Sequence, residues 1–228
     1  MFDDLDGATA RVIKIGERAK IVVSTRIAEL GSIRFSIAHE LGHLICQHFV
    51  KRRAMERACV PLSTTDGSNV EREASIFATE LLMPLSMVAP WCKVAPRTLD
   101  PIKSIASSFQ TSLLASALRY IELTSERCAV VYSEVGRVRW VKKSPSFTAW
   151  IPRGRCLAPA SAASDYFSQG TLEESTRIVP ATAWLARSAE NEESPIYEHT
   201  VPIPAIGAAF SFLWLNENGA PAQRSTSR

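Results

Sequence analysis

Cysteine is sparse in this sequence: Cys46, Cys59, Cys92, Cys128 and Cys156 are odd in number and nowhere fall in a Cys-x-x-Cys spacing. That pattern suggests neither a disulfide framework nor a cysteine-built zinc site, and it leaves most of the thiols as small buried hydrophobes. Long apolar runs are missing too, since none approaches the roughly 18 residues that a membrane span needs. The opening Met1-Phe2-Asp3-Asp4-Leu5-Asp6 is acidic where a secretion signal would be basic and then apolar. A soluble, cytoplasmic protein without a membrane partner is therefore expected. Charge of one sign is not in excess. The net charge is +3, and basic residues cluster only at Lys51-Arg52-Arg53 and Lys142-Lys143, which neither demands nor bars nucleic acid. No internal repeat is present. The 228 residues, 46% hydrophobic and 21% charged, have ordinary globular composition, which excludes disorder of the whole and leaves room for one large domain or two small ones.

What the chain does contain is His-Glu-x-x-His inside the apolar repeat Ile33-Arg34-Phe35-Ser36-Ile37-Ala38-His39-Glu40-Leu41-Gly42-His43-Leu44-Ile45-Cys46. On a helix, residues i and i+4 share a face one turn apart, so His39 and His43 can offer their imidazole nitrogens to a single metal ion. Glu40 is offset around the helix, where a general base that is not itself a ligand must sit. The expected ion is zinc, with another divalent cation such as Mn2+ as the alternative, and the geometry is that of a zincin protease. Ile33, Ile37, Leu41, Leu44 and Ile45 recur at helical spacing and predict the buried face. The helix should open at Gly31-Ser32 and run to about Arg53, with Lys51-Arg52-Arg53 meeting the negative end of its dipole. Before it, Arg11–Ile15 and Ala19–Ser24 flank Gly16-Glu17-Arg18 and read as a hairpin.

Two histidines leave a catalytic zinc one protein ligand short. The pattern in which a third histidine follows is excluded, because the required positions hold Cys46 and Phe49; His48, five residues after His43, is expected on a solvated face. The acidic candidates downstream are Glu56, Asp66, Glu71, Glu73 and Glu80. Asp66-Gly67-Ser68-Asn69 is a turn that leads into a second helix, capped by Ser68 or Asn69 and ended near Pro84, with Ala74, Phe77, Ala78, Leu81 and Leu82 as its apolar face. Glu71 shares a side with Ala74, Ser75 and Ala78, small residues that permit close approach to the first helix, whereas Glu73 and Glu80 point elsewhere. Glu71 is thus the expected third ligand, although a glutamate in a first turn is also favoured by the helix dipole alone.

Arg34-Phe35-Ser36-Ile37-Ala38-His39-Glu40-Leu41-Gly42-His43, followed in order by Glu71-x-x-Ala74-Ser75-x-Phe77-Ala78-x-x-Leu81-Leu82-Met83-Pro84, resembles the ImmA/IrrE family of gluzincin-like metallopeptidases, over roughly residues 13–123. The resemblance implies His39, His43 and Glu71 as metal ligands and Glu40 as the base. It also implies a regulator that cleaves a repressor of the helix-turn-helix type, switching on stress-response or mobile-element genes. Ser75 stands where the family pattern usually has Asn, a position that orients a metal-binding histidine, and the stretch ahead of the first helix is short for the family.

Further on, Thr98-Leu99-Asp100-Pro101 starts a helix with Ile102, Ile105, Ala106 and Phe109 on one side, and Gln110-Thr111-Ser112 caps another bearing Leu113, Leu114, Ala117, Leu118 and Ile121. The pair resembles a helix-turn-helix, but Arg119 is nearly its only base-reading side chain, so packing against the peptidase core outranks DNA binding. From Cys128 onward strands are expected: Cys128–Tyr132 and Arg137–Val141 around a Gly136 turn, then Arg177–Val179, Ala183–Leu185 and Phe210–Leu215. Trp140, Trp150, Trp184 and Trp214 read as core. The expected architecture is α+β: a zincin-like peptidase core over 1–96, a helical segment packed on it over 97–125, a small β-rich domain over 126–219 and a disordered tail over 220–228. The expected function is a zinc endopeptidase acting on a helix-turn-helix repressor. Its rival is a weak or inactive metalloprotein regulator that acts by binding a repressor or DNA. An oxyanion donor could come from His199, Tyr120, Tyr132 or Tyr166, among which the sequence does not choose.

Overall fold

A computed structural model describes residues 1–48, 57–59, 69–93, 97–186 and 195–215, the three residues of 57–59 by backbone alone. The fold is mixed α+β, with six α-helices and two sheets among the described residues. The chain divides into two compact units, Met1–Trp91 with Pro101–Tyr120, and Cys92–Asp100 with Ile121–Arg228. The basic run 51–53 and the tail 220–228 lie outside the described residues.

The first unit begins with the expected hairpin. Strands β2 (Ala10–Ile15) and β3 (Arg18–Ser24) pair antiparallel from Ala10↔Val23 to Ile15↔Arg18, closed by a two-residue turn whose Gly16 has a φ of 59°. Strand β1 (Phe2–Asp3) joins β3 in parallel and β4 (Arg57–Cys59) joins the other side of β2, giving the order β1-β3-β2-β4. Ala10, Val12, Val22 and Val23 are buried, so the β-branched residues of the hairpin supply one wall of the core.

Helix α1 (Leu30–Ile45) and helix α2 (Asn69–Leu82) pack together through small residues. A Cβ on Gly42 would lie 3.0 Å from the Ala74 backbone, and one on Gly31 would lie 2.3 Å from the Ser112 backbone nitrogen. This close approach changes which face of α1 is buried. Gly31, Ser36, Ala38, His39, Glu40, Gly42 and His43 are inside, whereas the expected apolar face is not: Ile37 and Ile45 are exposed and Ile33, Leu41 and Leu44 are only half-buried. The helix also ends at Ile45, well short of Arg53. On α2, Ala74 and Ala78 are buried, Phe77 and Leu82 half-buried and Leu81 exposed.

After the short helix α3 (Leu85–Val88) come α4 (Asp100–Phe109) and α5 (Leu113–Leu123). Ile102, Ile105 and Ala117 are buried, and Arg119, the one candidate reader of bases, is buried as well. Its guanidinium pairs with Glu80 and donates to the Met83 carbonyl at 3.2 Å, so it ties α5 to the end of α2 and does not face outward.

In the second unit, β5 (Cys128–Glu134) and β6 (Arg137–Lys143) form the expected hairpin around Val135 and Gly136, both at positive φ, 51° and 69°. With β7 (Thr176–Pro180), β8 (Pro195–Ile203) and β9 (Ala208–Leu215) they make a sheet of order β6-β5-β9-β8-β7. Helix α6 (Ala162–Gln169) was not expected from the Ser- and Ala-rich stretch that forms it. Ser161 caps it by accepting from the Ser164 N–H at 3.2 Å, and Gly170 closes it at a φ of 77°. One core gathers Val131, Phe147, Ile151, Trp184, Ile196 and Leu213. Trp184 and Trp214 are buried as expected, but Trp150 is 65% exposed. Ala183–Leu185 is no strand, because Ala181–Ala183 coil into a 3-10 turn. Of the free thiols described, Cys92 and Cys128 are buried and Cys46 and Cys156 exposed; burial pushes the Cys128 thiol up to about 12. No single helix among the described residues is long and apolar enough to cross a membrane.

Candidate metal centre

Helix α1 puts His39 and His43 one turn apart, and the close approach at Gly42 and Ala74 brings the first turn of α2 over them. His39 Nε2 and His43 Nε2 stand 3.1 Å apart, and Glu71 Oε2 lies 3.2 Å from the first and 3.3 Å from the second. Both histidines are buried. Hydrogen bonds from His39 and His43 hold the Glu71 carboxyl well below its ordinary value, outweighing partial burial, so it stays ionised. These three residues form a group that could hold a metal ion. Two imidazole nitrogens and a carboxylate oxygen match the protein donor set of catalytic zinc.

The groups behind the ligands bear on that fit. Ser75 Oγ lies 3.2 Å from His39 Nδ1, so an Nδ1–H there can donate to the hydroxyl and leave Nε2 with its lone pair. His43 Nδ1 meets His48 Nδ1 at 2.8 Å, and His48 Nε2 meets Glu73 Oε2 at 3.0 Å. His48 is buried, which corrects its expected place on a solvated face, and Glu73 turns toward it instead of pointing elsewhere. Helical spacing hides the contact, because five residues along a helix is about 140° around it. The helix has ended by then. Gln47, at a φ of 54°, takes the left-handed conformation, with Gln47 N–H donating to the Leu44 carbonyl and His48 N–H to the His43 carbonyl. That paired ending folds His48 back over His43. The only signal in the sequence was a third histidine and an acid close to the motif.

Glu40, beside His39 on α1, is fully buried. Neither carboxyl oxygen has a well-formed hydrogen bond, and the Val12 backbone gives only weak help. Burial is the main reason its carboxyl is pushed up to about 7, with the neighbouring His39 pulling the other way. Glu80, another acid considered as a ligand, pairs with Arg119, and Glu56 and Asp66 lie outside the described residues. Of the four candidate oxyanion donors, Tyr120 is buried in the first unit. Tyr132, Tyr166 and His199 belong to the second unit, where His199 Nδ1 lies 3.0 Å from Thr176 Oγ1.

No curated protein sequence matches the chain. A solved Mycobacterium tuberculosis transcriptional regulator shares the fold at a TM-score of 0.56 and 14% identity, over 100% of this chain and 79% of that one. The family model described as the IrrE N-terminal-like domain matches residues 4–120, which hold the hairpin, both site helices and His39, Glu40, His43, His48, Glu71, Glu73 and Ser75. The chain therefore belongs to the ImmA/IrrE family of metallopeptidases.

Proposed function

We propose that the chain is a zinc-dependent endopeptidase of the zincin type that cleaves a helix-turn-helix repressor and so relieves repression. The observation that carries this reading is the convergence of His39 Nε2, His43 Nε2 and Glu71 Oε2 within 3.1–3.3 Å, with a fully buried Glu40 next to His39 on the same helix. A divalent cation bound there would supply Lewis acidity, polarising a peptide carbonyl and acidifying a water. The chain's own contribution is then proton handling. Glu40, buried and without a well-formed hydrogen bond at either carboxyl oxygen among the described residues, is the group that would accept a proton and return it to the leaving amine. Burial excludes bulk water from the transfer. Either edge of the four-stranded sheet, β1 or β4, offers a place for an extended substrate segment to pair.

A second reading, a metalloprotein regulator that binds without cutting, draws on Ser75 in place of the usual Asn and on the structural neighbour being a transcriptional regulator. One experiment separates the two. Purified, zinc-loaded protein is incubated with the repressor encoded beside its gene, with and without chelator, alongside the Glu40→Gln variant. A discrete fragment that chelator and Glu40→Gln both abolish, while the variant still binds zinc, is the expected result. Tight binding of the repressor without a fragment would overturn the peptidase reading in favour of the regulator.

A further inference from the structure

Beyond the three ligands lies a connected set of polar groups that the proposed chemistry does not use. His43 Nδ1 is 2.8 Å from His48 Nδ1, and His48 Nε2 is 3.0 Å from Glu73 Oε2. The direction of these bonds follows from proton accounting. A carboxylate only accepts, so Glu73 takes the Nε2–H of His48. A neutral His48 that donates through Nε2 has a lone pair on Nδ1, so it accepts the Nδ1–H of His43. A neutral His43 that donates through Nδ1 must present a lone pair on Nε2, the atom that faces His39 and Glu71. With both rings neutral and a metal drawing on the His43 Nε2 lone pair, each step leaves one choice for the next; without the metal, His43 Nε2 can instead carry a proton toward Glu71. The His39 branch has no such logic, because the Ser75 hydroxyl at 3.2 Å can either donate or accept.

We propose that His48 and Glu73 are positioning residues that commit His43 to its metal-binding tautomer and fix its ring, so that metal affinity depends on a relay running Glu73, His48, His43. The backbone supports this assignment. His48 occupies the position after a left-handed helix end that usually supplies an apolar contact back onto the last turn, and here that contact is an imidazole, buried and paired at both nitrogens. Burying a third histidine costs desolvation unless both nitrogens are partnered. A structural cap would be served as well by leucine. The inference rests on the metal-site reading of His39, His43 and Glu71.

The test measures zinc affinity of the full chain by chelator competition, together with the visible spectrum of the Co2+-substituted protein, which reports coordination geometry independently of any peptidase activity. His48→Phe fills the space but cannot accept a hydrogen bond, and it is expected to weaken zinc about 10- to 100-fold, the usual cost of losing such a partner, and to alter the Co2+ spectrum. His48→Gln can accept from His43 and donate to Glu73, and it should recover most of the affinity. Glu73→Leu, at a partly exposed position, serves where His48→Phe does not fold, and should weaken zinc several-fold. Wild-type affinity and spectrum in His48→Phe, or in Glu73→Leu where that is the variant measured, would overturn the relay while leaving the site standing. Equal losses in His48→Phe and His48→Gln would overturn it too, as mere packing. A wild-type chain that binds no zinc would overturn the metal site itself and the relay with it.

Discussion

Glu40 and Glu71 are acids on neighbouring helices whose environments push them in opposite directions. Burial raises the Glu40 carboxyl from its ordinary 4.5 to about 7, while hydrogen bonds from His39 and His43 lower that of Glu71. Between pH 4.5 and about 7 the unfolded chain has ionised Glu40 and the folded chain has not. The folded state therefore binds the extra proton, and the stability this provides is full below pH 4.5 and lost as the pH rises through about 7. Glu71 contributes the reverse: stability present above its ordinary value of 4.5 and lost as the pH falls below it. The two windows hardly overlap, so Glu40 can be isolated. The metal-free wild type should lose roughly 3 kcal/mol more than Glu40→Gln on going from pH 4.5 to 8, as measured by urea unfolding at both ends. Parallel pH profiles for the two proteins would contradict the burial argument.

Elements that are organised by close packing rather than by bulk are where sequence patterning misleads. The i, i+4 histidines, Glu40 and the side of α2 that carries Glu71 were legible, because each follows from helical spacing alone. The buried face of α1 was not. The contact with α2 is made through Gly42 and Ala74, so small and polar residues go inside and Ile37 and Ile45 stay out. His48 is illegible in the sequence because a left-handed Gln47 breaks the helical periodicity on which spacing arguments rest. Strand β8 was hidden by Pro195 and Pro202. It pairs with β9 as far as Ile203 but with β7 only through His199, so Pro202 lies where one side of the strand has no partner and needs no donor. The packing argument predicts a ranking. Alanine favours a helix interior over glycine by about 1 kcal/mol, yet at Gly42 the added Cβ meets backbone at 3.0 Å and at Gly31 it meets backbone at 2.3 Å. Gly42→Ala should destabilise by about 1–3 kcal/mol and Gly31→Ala by more, as read from thermal unfolding. A stabilised Gly42→Ala would mean that α1 and α2 can separate without cost.

At the scale of the whole molecule, the metal site and the β-rich half can be perturbed separately. His39, His43 and Glu71 belong to the first unit, whereas Trp140, Trp150, Trp184 and Trp214, four of the five tryptophans, belong to the second. The second unit has its own buried acid. Glu198 is fully buried and accepts from the Ala162 and Ala163 amides, Trp184 Nε1 and Thr200 Oγ1, all at 2.9–3.0 Å, which fastens the start of α6 and the Trp184 turn to β8. Truncation would leave several buried donors unmatched at about 1–3 kcal/mol each. Glu198→Ala should therefore lower the urea midpoint of tryptophan fluorescence by the equivalent of at least about 3 kcal/mol. On the proposed metal site, zinc would act on the other unit: at about a thousand times its Kd it should add about 4 kcal/mol to first-unit stability, seen as slower amide exchange in α1 and α2. Because none of the proposed metal ligands is drawn from the second unit, that slowing is expected in Glu198→Ala as in wild type. Loss of zinc protection in the variant would mean that the ligand geometry depends on the β-rich unit, and that a signal received there could switch the metal site.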